Sequence, residues 1–138
     1  MKKIIIMGLS LFVLAACSEK EQYTQLVHEK LLNDPDVKSY HLDVETMTEC
    51  IVDLSSKKMP GFAAFEPDRK TAYLGYIKML GLKKAEKPEV VLKELKELFG
   101  SARGLADAHR NYSESYLECM STVTNRALDA KEEALAAE

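Results

Sequence analysis

The chain has 138 residues, of which 46% are hydrophobic and 30% charged, and its formal net charge is −3. That length suits one domain with a sizeable core, and no low-complexity tract marks disorder. The mildly acidic balance argues against a nucleic-acid binder, for which a clustered basic patch is expected.

In chain order, the first element is a leader. Lys2 and Lys3 give a basic start, Ile4 to Val13 are apolar apart from Gly8 and Ser10, and Leu14-Ala15-Ala16-Cys17 closes the segment. The apolar run falls short of the roughly 20 residues a spanning helix needs. A basic start, a short apolar run and small residues before a cut are the marks of a secretory signal peptide. Leu-Ala-Ala-Cys resembles the lipobox of bacterial lipoproteins. The resemblance implies cleavage after residue 16, a covalent diacylglycerol on the Cys17 thiol and an acylated, palmitate-type amine. Ser18, where aspartate marks retention at the inner membrane in that family, implies the periplasmic face of an outer membrane; the outer leaflet of the inner membrane is the alternative. Without Lys2 and Lys3 the mature chain carries 17 basic against 22 acidic residues, a balance of −5.

Residues 17–22 read as a lipidated N-terminus and polar tether, and 23–138 as a single helical domain with a polar C-terminal end. Tyr23, Leu26, Val27 and Leu31 space a first helix ending at Leu32. Asn33-Asp34-Pro35 breaks it, and Asp34 is placed to cap a short turn towards Tyr40. Asp43 caps the next long helix, with Leu42 and Met47 as a hydrophobic staple and Val44, Met47, Cys50-Ile51 and Leu54 on one face. Met59-Pro60-Gly61 ends it. The following Phe62-Ala63-Ala64-Phe65 is apolar without strand alternation. It is expected to fold at least one ring onto the core, the alternative being an exposed patch for a partner.

Pro67 opens a further helix, lined by Ala72-Tyr73, Tyr76-Ile77 and Leu80 and ended by Gly81. Lys87-Pro88 opens another, lined by Val91-Leu92, Leu95 and Leu98-Phe99, with Gly100 as its stop. After Ser101 comes the longest stripe: Leu105, Ala108, Tyr112, Tyr116, Cys119-Met120, Val123 and Ala127. No segment alternates with period two. The fold class is therefore all-α, a small bundle or orthogonal array of about five helices.

With Cys17 assigned to lipid, Cys50 and Cys119 remain, 69 residues apart, in a compartment where disulfides persist. They are expected to form one bridge that staples the domain. Neither has a ligand-spaced Cys or His partner, so no metal is expected, and no cofactor beyond the Cys17 lipid. His28, His41 and His109 belong to no catalytic motif. His109 shares a helical face with Tyr112, Ser113 and Tyr116, and Glu45 and Glu49 lie one turn apart. No catalytic residue is assigned. In plan the chain is similar to pilotins, small helical lipoproteins of secretion and pilus systems, which implies an accessory role. The expected function is protein binding or assembly of an envelope system, with the membrane and an unidentified envelope protein as partners and no nucleic acid. The alternatives are a passive structural envelope lipoprotein and a small periplasmic hydrolase. A deep polar cleft would mark the enzyme; an apolar groove or patch would mark the binding module.

Overall fold

The computed structural model describes residues 18–137; the leader and Cys17 lie outside them. Six α-helices and one short 3-10 turn make up the described chain, an all-α array as the spacing predicts. The sixth helix is the Asp34-capped turn, which completes a helix of its own.

Helix α1 (Ser18–Leu32) begins earlier than expected, because Ser18–Gln22 is helical rather than a tether. Glu19 and Glu21 sit in its first turn, where exposed amides favour anions. Tyr23, Val27 and Leu31 recur every four residues and are buried. The Asp34 carboxylate accepts hydrogen bonds from the amides of Asp36 and Val37 and so starts α2 (Pro35–Ser39). His41 then adopts φ 53°, a left-handed turn that lets the Leu42 amide reach the Val37 carbonyl. Asp43 accepts from the Thr46 amide at 2.8 Å and caps α3 (Val44–Lys57). Leu42 and Met47, the expected staple, are both buried.

Helix α4 (Pro67–Gly81) runs directly into the 3-10 turn Leu82–Lys84. The helix ends at Gly81 as expected, with φ −83° rather than a left-handed turn. Helix α5 (Pro88–Leu98) does stop at a left-handed glycine, Gly100 with φ 76°. The Ser101 hydroxyl accepts from the Gly104 amide at 2.9 Å and opens α6 (Ala102–Ala136).

Helix α3 is central, packed between α1 and α6; α1 also packs on α4, and α5 closes against α4 and α6. Tyr23 lies at the heart of the interior, its ring 5.6 Å from Tyr73 and 5.8 Å from Tyr76 between centroids. Phe99 wedges between α4 and α6. A Cβ at Gly75 would stand 2.8 Å from the Phe99 ring, and one at Gly104 2.1 Å from its carbonyl oxygen, so both close approaches require glycine.

Cys50 and Cys119 are bonded across α3 and α6, with 5.8 Å between their Cα atoms. Cys119 is fully buried. The buried stripe of α6 is rotated from the expected one: Ala108, Asn111, Ser115, Cys119 and Val123 face inwards. Tyr112 and Tyr116 are half-buried beside it, and Ala127 is exposed. Beyond Thr124 every described residue of α6 is exposed, so the helix projects from the body.

Two polar residues in that stripe are accommodated by hydrogen bonds. Asn111 Nδ2 donates to the Ser55 carbonyl at 2.9 Å and to the Tyr76 hydroxyl at 2.6 Å. Ser115 Oγ donates to the Asn111 carbonyl, and the Tyr23 and Ser55 hydroxyls lie 2.8 Å apart. Unmade, each of these bonds would leave a buried polar group at a cost of about 1–3 kcal/mol.

Candidate functional site

The most distinctive surface is the connection from α3 to α4. It starts when Lys58 and Met59 amides bond back to the Ser55 and Ser56 carbonyls. Met59 folds inwards and is buried. Gly61 then takes φ 79°, and Phe62-Ala63-Ala64-Phe65 forms the tip. Phe62 is 99% exposed and Phe65 75% exposed. The expectation that at least one ring would join the core is therefore corrected. Of the connection's large apolar side chains Met59 is the one buried, and both phenylalanine rings are turned outwards.

The loop is held at its base. Arg69, on the first turn of α4, is only 7% exposed. Its Nη1 donates to the Ser56 carbonyl and its Nη2 to the Gly61 carbonyl. Among the described residues no carboxylate lies within ion-pair distance of this guanidinium, and its Nε has no acceptor. The partial negative charge at the carboxyl end of α3, where the Ser56 carbonyl lies, supplies the compensating potential. Glu66 adds a second tie. Its Oε2 accepts from the Phe62 amide at 2.9 Å, and its own amide donates to the Ala63 carbonyl. A Cβ at Gly61 would come within 3.0 Å of both Arg69 Cβ and Glu66 Oε2. Left-handed backbone and tight packing both demand glycine there.

Two lysines near the base of the loop are paired. Lys57 pairs with Asp53 at 2.7 Å and Lys58 with Glu114 at 3.0 Å. The two phenylalanines thus project from a surface of mixed charge. Behind the loop is a cleft of about 400 Å³ that includes Met59, Tyr76 and Phe99. Asn111 Oδ1, buried at its base, has no hydrogen-bond partner.

The other candidate residues are dispersed. His28 Nε2 lies 3.5 Å from Glu45 Oε1 across α1 and α3, on an open surface that Glu49 shares. His109 is exposed on α6, where its carbonyl accepts from Ser113 Oγ at 3.0 Å. Tyr116 lies one turn further and donates to Asp34 Oδ1 at 3.1 Å. Burial, and then the Asp34 charge, push the Tyr112 phenol up to about 12; burial, and then its hydrogen bond to Asp34, raise Tyr116. These groups do not converge on one centre. Sequence reasoning singled out Phe62 and Phe65 but missed Arg69 and Asn111, which fix the loop and the floor behind it. Arg69 left one legible trace: it falls on the face of α4 that also carries Ala72, Tyr73 and Tyr76, where a cation needs buried acceptors.

No helix among the described residues is long and apolar enough to cross a membrane. No protein-family model, curated protein or solved structure matches the chain.

Proposed function

We propose that the protein is a lipid-anchored envelope binding module that docks on a protein partner through Phe62 and Phe65. The observation that carries this reading is the full exposure of Phe62, with Phe65 beside it, on a loop clamped by a buried arginine. Water-exposed rings on a preformed loop retain their transfer free energy for an interface, and little conformational entropy is lost when they dock. Aromatic anchors of this kind commonly account for 2 kcal/mol or more of binding each. Lys57 and Lys58 are each held by a carboxylate, so neither is free to meet an anionic lipid surface, which favours an apolar pocket on a protein.

The address rests on the leader: the lipobox resemblance of Leu14-Ala15-Ala16-Cys17 supports a lipid anchor on Cys17, and Ser18 favours the periplasmic face of an outer membrane over the outer leaflet of the inner membrane. The Cys50–Cys119 bridge supports an oxidising compartment. An assembly-accessory role follows from that combination of anchor and docking loop.

Crosslinking in cells, with thermal unfolding measured in parallel, tests both parts. Phe62→Ala and Phe65→Ala are expected to keep wild-type stability and lose the crosslinked partner. A large fall in melting temperature, or undiminished crosslinking in the double variant, would overturn the docking role. Labelled palmitate in the same cells is expected on the wild type and not on Cys17→Ala; label retained on the variant would remove the anchor.

A further inference from the structure

A groove of about 880 Å³ lies between the carboxyl-terminal half of α1 and the middle of α6, with the start of α2 and the 3-10 turn also contributing to its lining. Its size falls within the roughly 300–1,000 Å³ of small-molecule sites. The walls are mainly apolar: Leu26 and Leu32 on α1, Pro35 on α2, and Tyr112, Tyr116 and Leu117 on α6. Leu32 and Leu117 are 48% and 65% exposed, so they stand uncovered in the free protein.

The same groove carries cations from two elements, Lys30 of α1 and Lys83 and Lys84 of the 3-10 turn. Among the described residues none of the three has a carboxylate within ion-pair distance, whereas Lys57, Lys58 and Lys78 each have one. Two acids also line the groove. Asp34 is engaged by the amides of Asp36 and Val37 and by the Tyr116 hydroxyl, which leaves Glu29 as the other carboxylate present. Tyr112 is a neutral phenol at neutral pH, so its ring adds no negative charge to the groove.

From this juxtaposition we infer that the groove binds a free long-chain fatty acid. The alkyl chain lies against the leucines and tyrosine rings, and the carboxylate is met by the lysines. A neutral glyceride would leave those cations without a counter-charge, and a short hydrophilic anion would leave the leucines wet. Each methylene removed from water contributes about 0.8 kcal/mol, so a long chain supplies most of the affinity and the lysines supply the selectivity.

The chain has no tryptophan, so a fluorescent polyene fatty acid can be followed without intrinsic background. The probe is titrated into the protein as purified from cells, with its disulfide intact. Saturable enhancement is expected, with Kd on the order of micromolar. Palmitate should displace the probe, and hexadecanol at least tenfold less well. Lys83→Glu with Lys84→Glu should weaken probe binding tenfold or more, and so should Leu117→Asp, whose exposed position spares the fold. Phe62→Ala and Phe65→Ala should leave it unchanged, which separates this site from the docking loop. Absence of saturable enhancement, equal displacement by the alcohol, or full binding by Leu117→Asp would overturn the assignment.

Discussion

Replacing Arg69 with methionine tests the idea that one buried side chain sets the shape of the docking loop. Methionine retains much of the stem's packing but removes two charge-assisted hydrogen bonds, to the Ser56 and Gly61 carbonyls. Such bonds contribute about 1.5–3 kcal/mol each. Because the loop lies at the surface, water can reach the freed carbonyls and restore part of that sum. The expected loss is therefore about 3 kcal/mol, well above the roughly 0.5 kcal/mol of ordinary surface changes. Lysine at the same position should recover part of it, since one ammonium can serve one carbonyl but not span both. Urea unfolding of the oxidised protein measures the stability. Limited chymotrypsin digestion, cutting after Phe62 and Phe65, measures the loop. Arg69→Met should be cleaved faster than the wild type under native conditions. A variant within about 0.5 kcal/mol of the wild type, cleaved at the same rate, would refute the clamp.

Two other outcomes follow from the interior. Breaking the Cys50–Cys119 bridge, which closes a separation of 69 residues, should cost about 4 kcal/mol in the chain-entropy model; unchanged urea midpoints for reduced and oxidised protein would contradict it. Burial raises the phenols of Tyr23, Tyr76 and Tyr112, the last to about 12, so the unfolded chain ionises first. That stability is fully present below the ordinary phenol value of about 10 and is lost as pH rises through the folded values. A urea midpoint equal at neutral pH and at about pH 11 would show that these rings are not buried in solution.

Features governed by neighbours in sequence were legible before the fold was known. Asp34, Asp43 and Ser101 cap helices through bonds to amides two or three residues away, so their roles depend on little else. The disulfide was legible because so few cysteines remain once the leader is read. The stripe of α6 was misread in a specific way. Tyr112 and Tyr116 have more apolar area than Asn111 and Ser115, and sequence spacing alone favours the larger residues. Yet the line from Ala108 through Cys119 to Val123 passes over positions 111 and 115, and partners from α3 and α4 accept from the Asn111 Nδ2 there. Ser18–Gln22 offered no apolar face, and their helix is the extension of one anchored further on by Tyr23. The orientation of Phe62 and Phe65 depends on Arg69, whose acceptors lie 8 and 13 residues away; no local pattern contains that information.

The projecting end of α6 has a consequence for how unfolding of this protein is read. From Asn125 to Ala136 every residue of the helix is exposed, and an unsupported segment no longer than about 12–15 residues is marginal in water even when rich in alanine. All six tyrosines lie between Tyr23 and Tyr116, so their fluorescence reports the body alone, whereas far-ultraviolet ellipticity sums body and projection. On heating, the ellipticity will begin to fall while the tyrosine signal is still flat. Two curves that fail to superimpose are ordinarily taken as a sign of a populated intermediate. Here the gap is the fraying of a terminus at low local free energy, and amide exchange restricted to the residues after Thr124 would account for it in full.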